Sequence, residues 1–88
     1  MKFATTRSFD KDVDAIRDKK LLTRLAAVLQ QIAAASSLTD LPSVVALSGF
    51  TGIYRIRVGD YRLGCYLTGN TLFLARFLHR KEIYRKFP

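Results

Sequence analysis

Apolar residues recur along this chain with two different periods. Leu21, Leu22, Leu25, Val28, Leu29, Ile32 and Ala33 trace one stripe of a 3.6-residue helix running to about Ala35. Ahead of them, KFAT at residues 2–5 reads as a short strand. Thr6 or Ser8 can then cap a first helix, with Asp10 and Asp12 in its first turn and Phe9, Val13 and Ile16 on one face. The pattern restarts near Asp18 to Lys20, so two amphipathic helices follow one another across a short turn.

Beyond Ser36 the period is lost. Residues 36–52 hold Pro42 and two glycines and read as a connecting segment with room for a short strand or turn. Two strand runs then flank Gly59-Asp60, and a third follows Gly69-Asn70, each pair of residues being a two-residue hairpin signal. The expected fold is α+β. A first strand and a helical hairpin pack on a roughly four-stranded, mainly antiparallel sheet, followed by a short basic tail or helix. With 88 residues there is material for one core, and 1–88 reads as a single domain.

Alternation sorts the strand residues between two faces. A turn at Gly59-Asp60 sets Arg57 opposite Arg62 and Gly64 opposite Arg55. Tyr54, Ile56, Val58, Leu63, Cys65 and Leu67 then form the helix-covered face, while Arg55, Arg57, Arg62, Gly64 and Tyr66 share the other. Carried through Gly69-Asn70, the register adds Phe73, Ala75, Phe77 and His79 to this second face. It also points Arg76 towards the core, so either Arg76 snorkels at an edge or the second turn is longer and the register slips.

Charge sharpens this picture. The chain carries a net +8, and residues 49–88 hold eight Lys or Arg against two acids, compared with seven against five in residues 1–48. Such an excess on strands favours a polyanionic partner, nucleic acid or an acidic protein, over a membrane surface. No segment has the length and apolarity of a membrane span, and the first residues lack the apolar run of a signal peptide. The lone Cys65 excludes an internal disulfide, and a cytoplasmic location is expected.

Like charges facing each other across a ladder destabilise it, so Arg57 opposite Arg62, with no side chain at Gly64, points to an anion pocket rather than to a solvated face. Guanidinium forks suit a phosphate diester because they donate paired hydrogen bonds while staying charged. His79 alone is weak support, since a single histidine is more often structural. In HRKEIYRKFP, however, it stands beside Arg80 and five residues before Tyr84, so a titratable ring, a cation and a phenol could converge. Tyr84 by itself serves equally well as an anchor for the tail. Cys65 reads as a small buried hydrophobe, and one His, one Cys and scattered acids do not form a metal site. No cofactor is expected.

The run GFTGIYRIRVGDYRLGCY followed by FLHRKEIYRKFP resembles the RelE/ParE superfamily of bacterial toxins from type II toxin-antitoxin modules, over nearly the whole chain. The specific signals are the YRIRVGDYRL and HRKEIY blocks; the helical hairpin matches but is generic. The resemblance implies a RelE-like endoribonuclease that cuts messenger RNA on the ribosome and inhibits translation, the message's own 2'-hydroxyl attacking the adjacent phosphate. It assigns catalysis to Arg62, His79, Arg80 and Tyr84, with Arg62 holding the scissile phosphate and His79 or Tyr84 moving protons. Arg55, Arg57, Tyr66, Lys81 and Arg85 would bind RNA or phosphate, Tyr66 or Tyr84 by stacking on a base.

Relatives often place lysine ahead of the Leu-x-Gly that precedes the block, where this chain has Val45 and Ala46, and some carry lysine at the positions of Arg55 and Arg57. Arginine is a poor general base, which moves proton transfer to the C-terminal block. The implied partner is a cognate acidic antitoxin, RelB-like or of another type, in a hetero-oligomer able to bind operator DNA. Two alternatives remain open at this point. One is a ParE-like inhibitor that contacts DNA gyrase and cuts no RNA; the other is a nucleic-acid-binding remnant without chemistry.

Overall fold

The computed structural model describes residues 1–88. Lys2–Thr5 (β1) is followed by the helices Arg7–Asp14 (α1) and Lys19–Ala34 (α2), and a 3-10 turn at Leu38–Asp40 leads to Val44–Ala46 (β2). Three long strands come next, Ile53–Val58 (β3), Tyr61–Thr68 (β4) and Thr71–His79 (β5), and the helix Arg80–Lys86 (α3) ends the order. All five strands lie in one sheet, β1-β5-β4-β3-β2, with β1 parallel to β5 and every other pair antiparallel. The architecture is α+β as expected. The added strand, β2, comes from the connecting segment. No helix is long and apolar enough to cross a membrane.

Local signals explain the helix starts. Thr6 Oγ1 accepts the Phe9 amide, and Asp18 accepts the amides of Lys20 and Leu21, so each helix has a side-chain cap on its otherwise unpaired N–H groups. Phe9 and the α2 stripe of Leu21, Leu25 and Ile32 are buried against Ile56, Val58, Leu63, Cys65, Leu72, Leu74 and Phe77. Full burial of a side chain of this size contributes about 1.5–3 kcal/mol, which is why the stripe rather than helix propensity holds α2 in place.

Both hairpin turns have two residues, Val58 pairing with Tyr61 and Thr68 with Thr71. Each places glycine at its first central position with positive φ, +60° at Gly59 and +58° at Gly69, a conformation that costs other residues. The β3–β4 register is the expected one, with Arg57 opposite Arg62 and Arg55 opposite Gly64.

The β4–β5 register is not. Gly64 pairs with Arg76 but Cys65 pairs with Leu74, so Ala75 is an extra residue, a β-bulge. Beyond it the faces of β5 exchange. Phe77 pairs with Leu63 in the main core, and His79 pairs with Tyr61, whose ring also packs on that core. The expectation that Phe77 and His79 share the arginine face is therefore corrected. For Arg76 the register does slip, but at the bulge and not through a longer second turn, which keeps two residues.

The opposite face of the sheet carries a second, smaller cluster. Leu47, Ile83 and Phe87 are buried there, with Ile53, Ala75 and Leu78 packed against them. This cluster seats α3 across the sheet beside the arginines.

A candidate anion groove on the outer face

Ser43, Val45, Arg55, Arg57, Arg62 and Tyr84 line an open groove of about 410 Å³ on the sheet face opposite α1 and α2. Strand alternation supplies four of the six, and Ser43 comes from the turn that enters β2. Val45 of β2 pairs with Arg55 of β3, and Arg57 of β3 pairs with Arg62 of β4, so the side chains stand on one face. Tyr84 arrives from α3.

No carboxylate lines the groove and none pairs with its arginines; the chain's two ion pairs, Arg76–Asp12 and Lys86–Glu82, lie elsewhere. Arg57 is exposed. Arg62 is held by its own hairpin, its Nη1 donating to the carbonyls of Gly59 at 3.0 Å and Tyr61 at 2.9 Å. Those bonds draw the Arg62 guanidinium back towards the turn, which eases its repulsion from Arg57. Arg55 lies under the phenol, its guanidinium carbon 4.6 Å from the Tyr84 ring centroid, within cation–π range. Three fixed positive charges and one phenol thus surround a space open to solvent. A phosphate diester fits this chemistry, since guanidiniums can hold its oxygens and the phenol can stack or donate a proton.

The other expected residues lie outside the groove. His79 is the N-cap of α3, where its Nδ1 accepts the Lys81 amide at 3.1 Å, and its ring meets Tyr61 edge-on at 5.6 Å. It borders two smaller depressions on the helix side, one shared with Asp12 and Glu82, the other with Lys20, Arg24 and Asp60. Arg80 is exposed on the first turn of α3, its amide bonded to the Asp60 carbonyl at 2.8 Å. Lys81 and Arg85 are also exposed and line no part of the groove. Tyr66 stacks on Phe73 at 5.1 Å, on the far side of Gly64 from Arg62.

Gly64 itself is not open space. A Cβ there would lie 2.7–2.9 Å from ring carbons of Phe87, which fills the gap that the missing side chain leaves. The groove instead opens over β2 and β3, and sequence reasoning missed its outer wall, Ser43 and Val45. A detectable signal was Pro42-Ser43 followed by two valines, a turn entering a short edge strand.

Cys65 is fully buried, and burial pushes its thiol up to about 12, so it is inert as a nucleophile at neutral pH. The Arg76 guanidinium is held above its ordinary value, chiefly by its hydrogen bond to Asp12. No three His, Cys, Asp or Glu side chains gather closely enough to hold a metal ion.

Taken with the sheet order, the groove defines a small α+β domain with one basic, carboxylate-free face. Residues 4–84 match the family described as the ParE toxin of type II toxin-antitoxin system, parDE. Over its full length the chain is 35% identical to Toxin RelE3 of Methanocaldococcus jannaschii, covering all of both chains. Among solved structures it is similar to a chain of the RelB-RelE antitoxin-toxin complex from Methanococcus jannaschii, with a TM-score of 0.80 and 32% identity over all of both chains. It also shares its fold with YafQ from E. coli, at a TM-score of 0.66 and 23% identity over 93% of this chain and 96% of that one. The chain belongs to the RelE/ParE superfamily and is a toxin of a type II toxin-antitoxin system.

Proposed function

We propose that this toxin is an endoribonuclease that cuts messenger RNA on the ribosome, with the scissile phosphate in the groove of Arg55, Arg57 and Arg62. The observation that carries the reading is the set of three arginines without a carboxylate partner, beside a phenol that one of them supports. The substrate's 2'-oxygen forms a bond to phosphorus and the bond to the 5'-oxygen breaks. The 2'-hydroxyl proton passes to a phosphoryl oxygen or water, and the Tyr84 hydroxyl protonates the leaving 5'-oxygen, then regains its proton from water. The products are a 2',3'-cyclic phosphate and a 5'-hydroxyl. The arginines act mainly by stabilising the charge of the five-coordinate phosphate, a form of catalysis that needs positioned donors rather than a strong base.

A cognate antitoxin, as in the RelB-RelE complex, is the proposed partner, and a +8 toxin is suited to an acidic one. A second reading, inhibition of DNA gyrase by protein contact, is favoured by the match to the ParE description. Programmed ribosomes on one side, and gyrase with relaxed plasmid on the other, separate the two. RNA cleavage with 5'-hydroxyl products supports the enzyme; intact messenger with blocked supercoiling overturns it.

A further inference from the structure

Gly64 lies in β4 beside the bulge, buried, without a positive φ, and directly opposite Arg55 on the β3 side. The three nearest neighbours of a Cβ built there would be Phe87 Cδ2, Cγ and Cε2, at 2.7, 2.8 and 2.9 Å. Real Cβ atoms do not approach so closely, so only glycine lets this ring lie on the strand. The exclusion is purely steric.

Phe87 is rigidly tied to α3, because its amide donates to the Ile83 carbonyl at 2.9 Å. It is buried with Ile83 and Leu47 in a cluster separate from the main core. A helix of seven residues has little stability of its own, so its direction is set by where these side chains seat. Tyr84 stands on α3 three residues before Phe87, the residue that ends the helix, and covers Arg55, the cross-strand partner of Gly64. The seat and the phenol's target are therefore adjacent positions of one ladder, about 5 Å apart.

We propose that Phe87 seated on Gly64 is a positioning pair that sets the Tyr84 phenol over Arg55 in the groove, an inference that rests on the RNA-cleaving reading of that groove. A methyl group at position 64 displaces the ring, tilts α3 and carries Tyr84 away from the phosphate. The arginines stay where their strands hold them. Substrate binding and the chemical step should therefore respond differently.

The test uses the full chain and its variants with programmed ribosomes in single-turnover cleavage, together with NMR of the free protein. Protons of Arg55 lying under the Tyr84 ring carry a ring-current shift that reads the placement without any RNA. Gly64→Ala is expected to lose that shift and to slow cleavage by about 10²-fold, as misplacement by an ångström does. KM should move by no more than about threefold. Adding Phe87→Leu, which vacates the ring's space, should restore much of both signals. Should Gly64→Ala not fold, Phe87→Ala leaves the strand untouched and must itself lose both. Cleavage at the wild-type rate in these variants, or a lost rate with the Arg55 shift intact, overturns the positioning role. A wild-type protein that cuts no messenger sinks instead the reading on which the proposal stands.

Discussion

Asp12 of α1 grips Arg76 of β5 at two points, Oδ2 to Nε at 2.8 Å and Oδ1 to Nη2 at 3.0 Å, and the same Oδ2 accepts the Phe77 amide at 2.9 Å. This carboxylate sits beyond the last pair of β1 with β5, Thr5 with Leu74, where β5 has no strand neighbour on that side. Thr6 completes the arrangement, its Oγ1 lying 3.1 Å from the carbonyls of both Leu74 and Ala75. Backbone groups of β5 that lose a strand partner where β1 ends, beside the bulge, are thus satisfied by the start of α1.

Replacing Asp12 by Ala should accordingly destabilise the fold by about 2–3 kcal/mol, through a lost charged hydrogen bond and an unpaired Phe77 amide. Arg76 is a quarter exposed, which keeps the loss below that of a fully buried pair. Urea unfolding measures it. A change under about 0.5 kcal/mol would show that the bulge holds itself.

Arg57 and Arg62 should separate stability from activity. Arg57→Ala removes an exposed cation without a hydrogen bond and relieves a cross-strand repulsion, so its unfolding midpoint is expected to stay level or rise slightly. Arg62→Ala also loses two bonds to the hairpin and should cost about 1 kcal/mol. Both should lose growth arrest on induction. A toxic Arg62→Ala protein would remove the groove from the mechanism.

For His79 and Tyr84, the structure assigns unequal outcomes. His79→Ala removes the α3 cap and should lower stability by about 1 kcal/mol, with His79→Asn recovering most of it. Its effect on cleavage should be several-fold and rescued by Asn. Tyr84→Phe keeps the ring over Arg55 but removes the proton, and should slow cleavage by about 10²-fold. Single-turnover rates decide the matter: equal, unrescued losses would return His79 to the chemistry.

Cys65 predicts an alkaline limit to stability. Burial raises its thiol from the ordinary 9.0 to about 12, so the unfolded chain ionises first as pH rises. The thiol's contribution is complete below about pH 9 and declines until about pH 12, by roughly 4 kcal/mol at most, since the unfolded state binds fewer protons across that window. Urea midpoints of the wild type and Cys65→Ala should therefore converge between about pH 8 and pH 11. A gap independent of pH would mean that Cys65 contributes packing alone.

The two N-terminal helices, the Thr6 cap and the β3–β4 hairpin were legible along the chain, because each depends on residues within a few positions of one another. The α2 stripe repeats every third or fourth residue. The Gly59-Asp60 turn sets strand parity directly, so Arg57 opposite Arg62 followed from counting. Ala75 left no such mark. An extra strand residue keeps the local composition unchanged, and what stabilises it here comes from Thr6 and Asp12, more than 60 positions away. That single insertion turned His79 from the arginine face to the helix side and made it a cap. Gly64 likewise reads as vacant space until α3 folds back and Phe87 occupies it. Sequence determined which residues alternate and which charges oppose; only tertiary packing decided which of them meet, because alternation carries no record of a bulge and a seven-residue helix takes its direction from the surface that receives it.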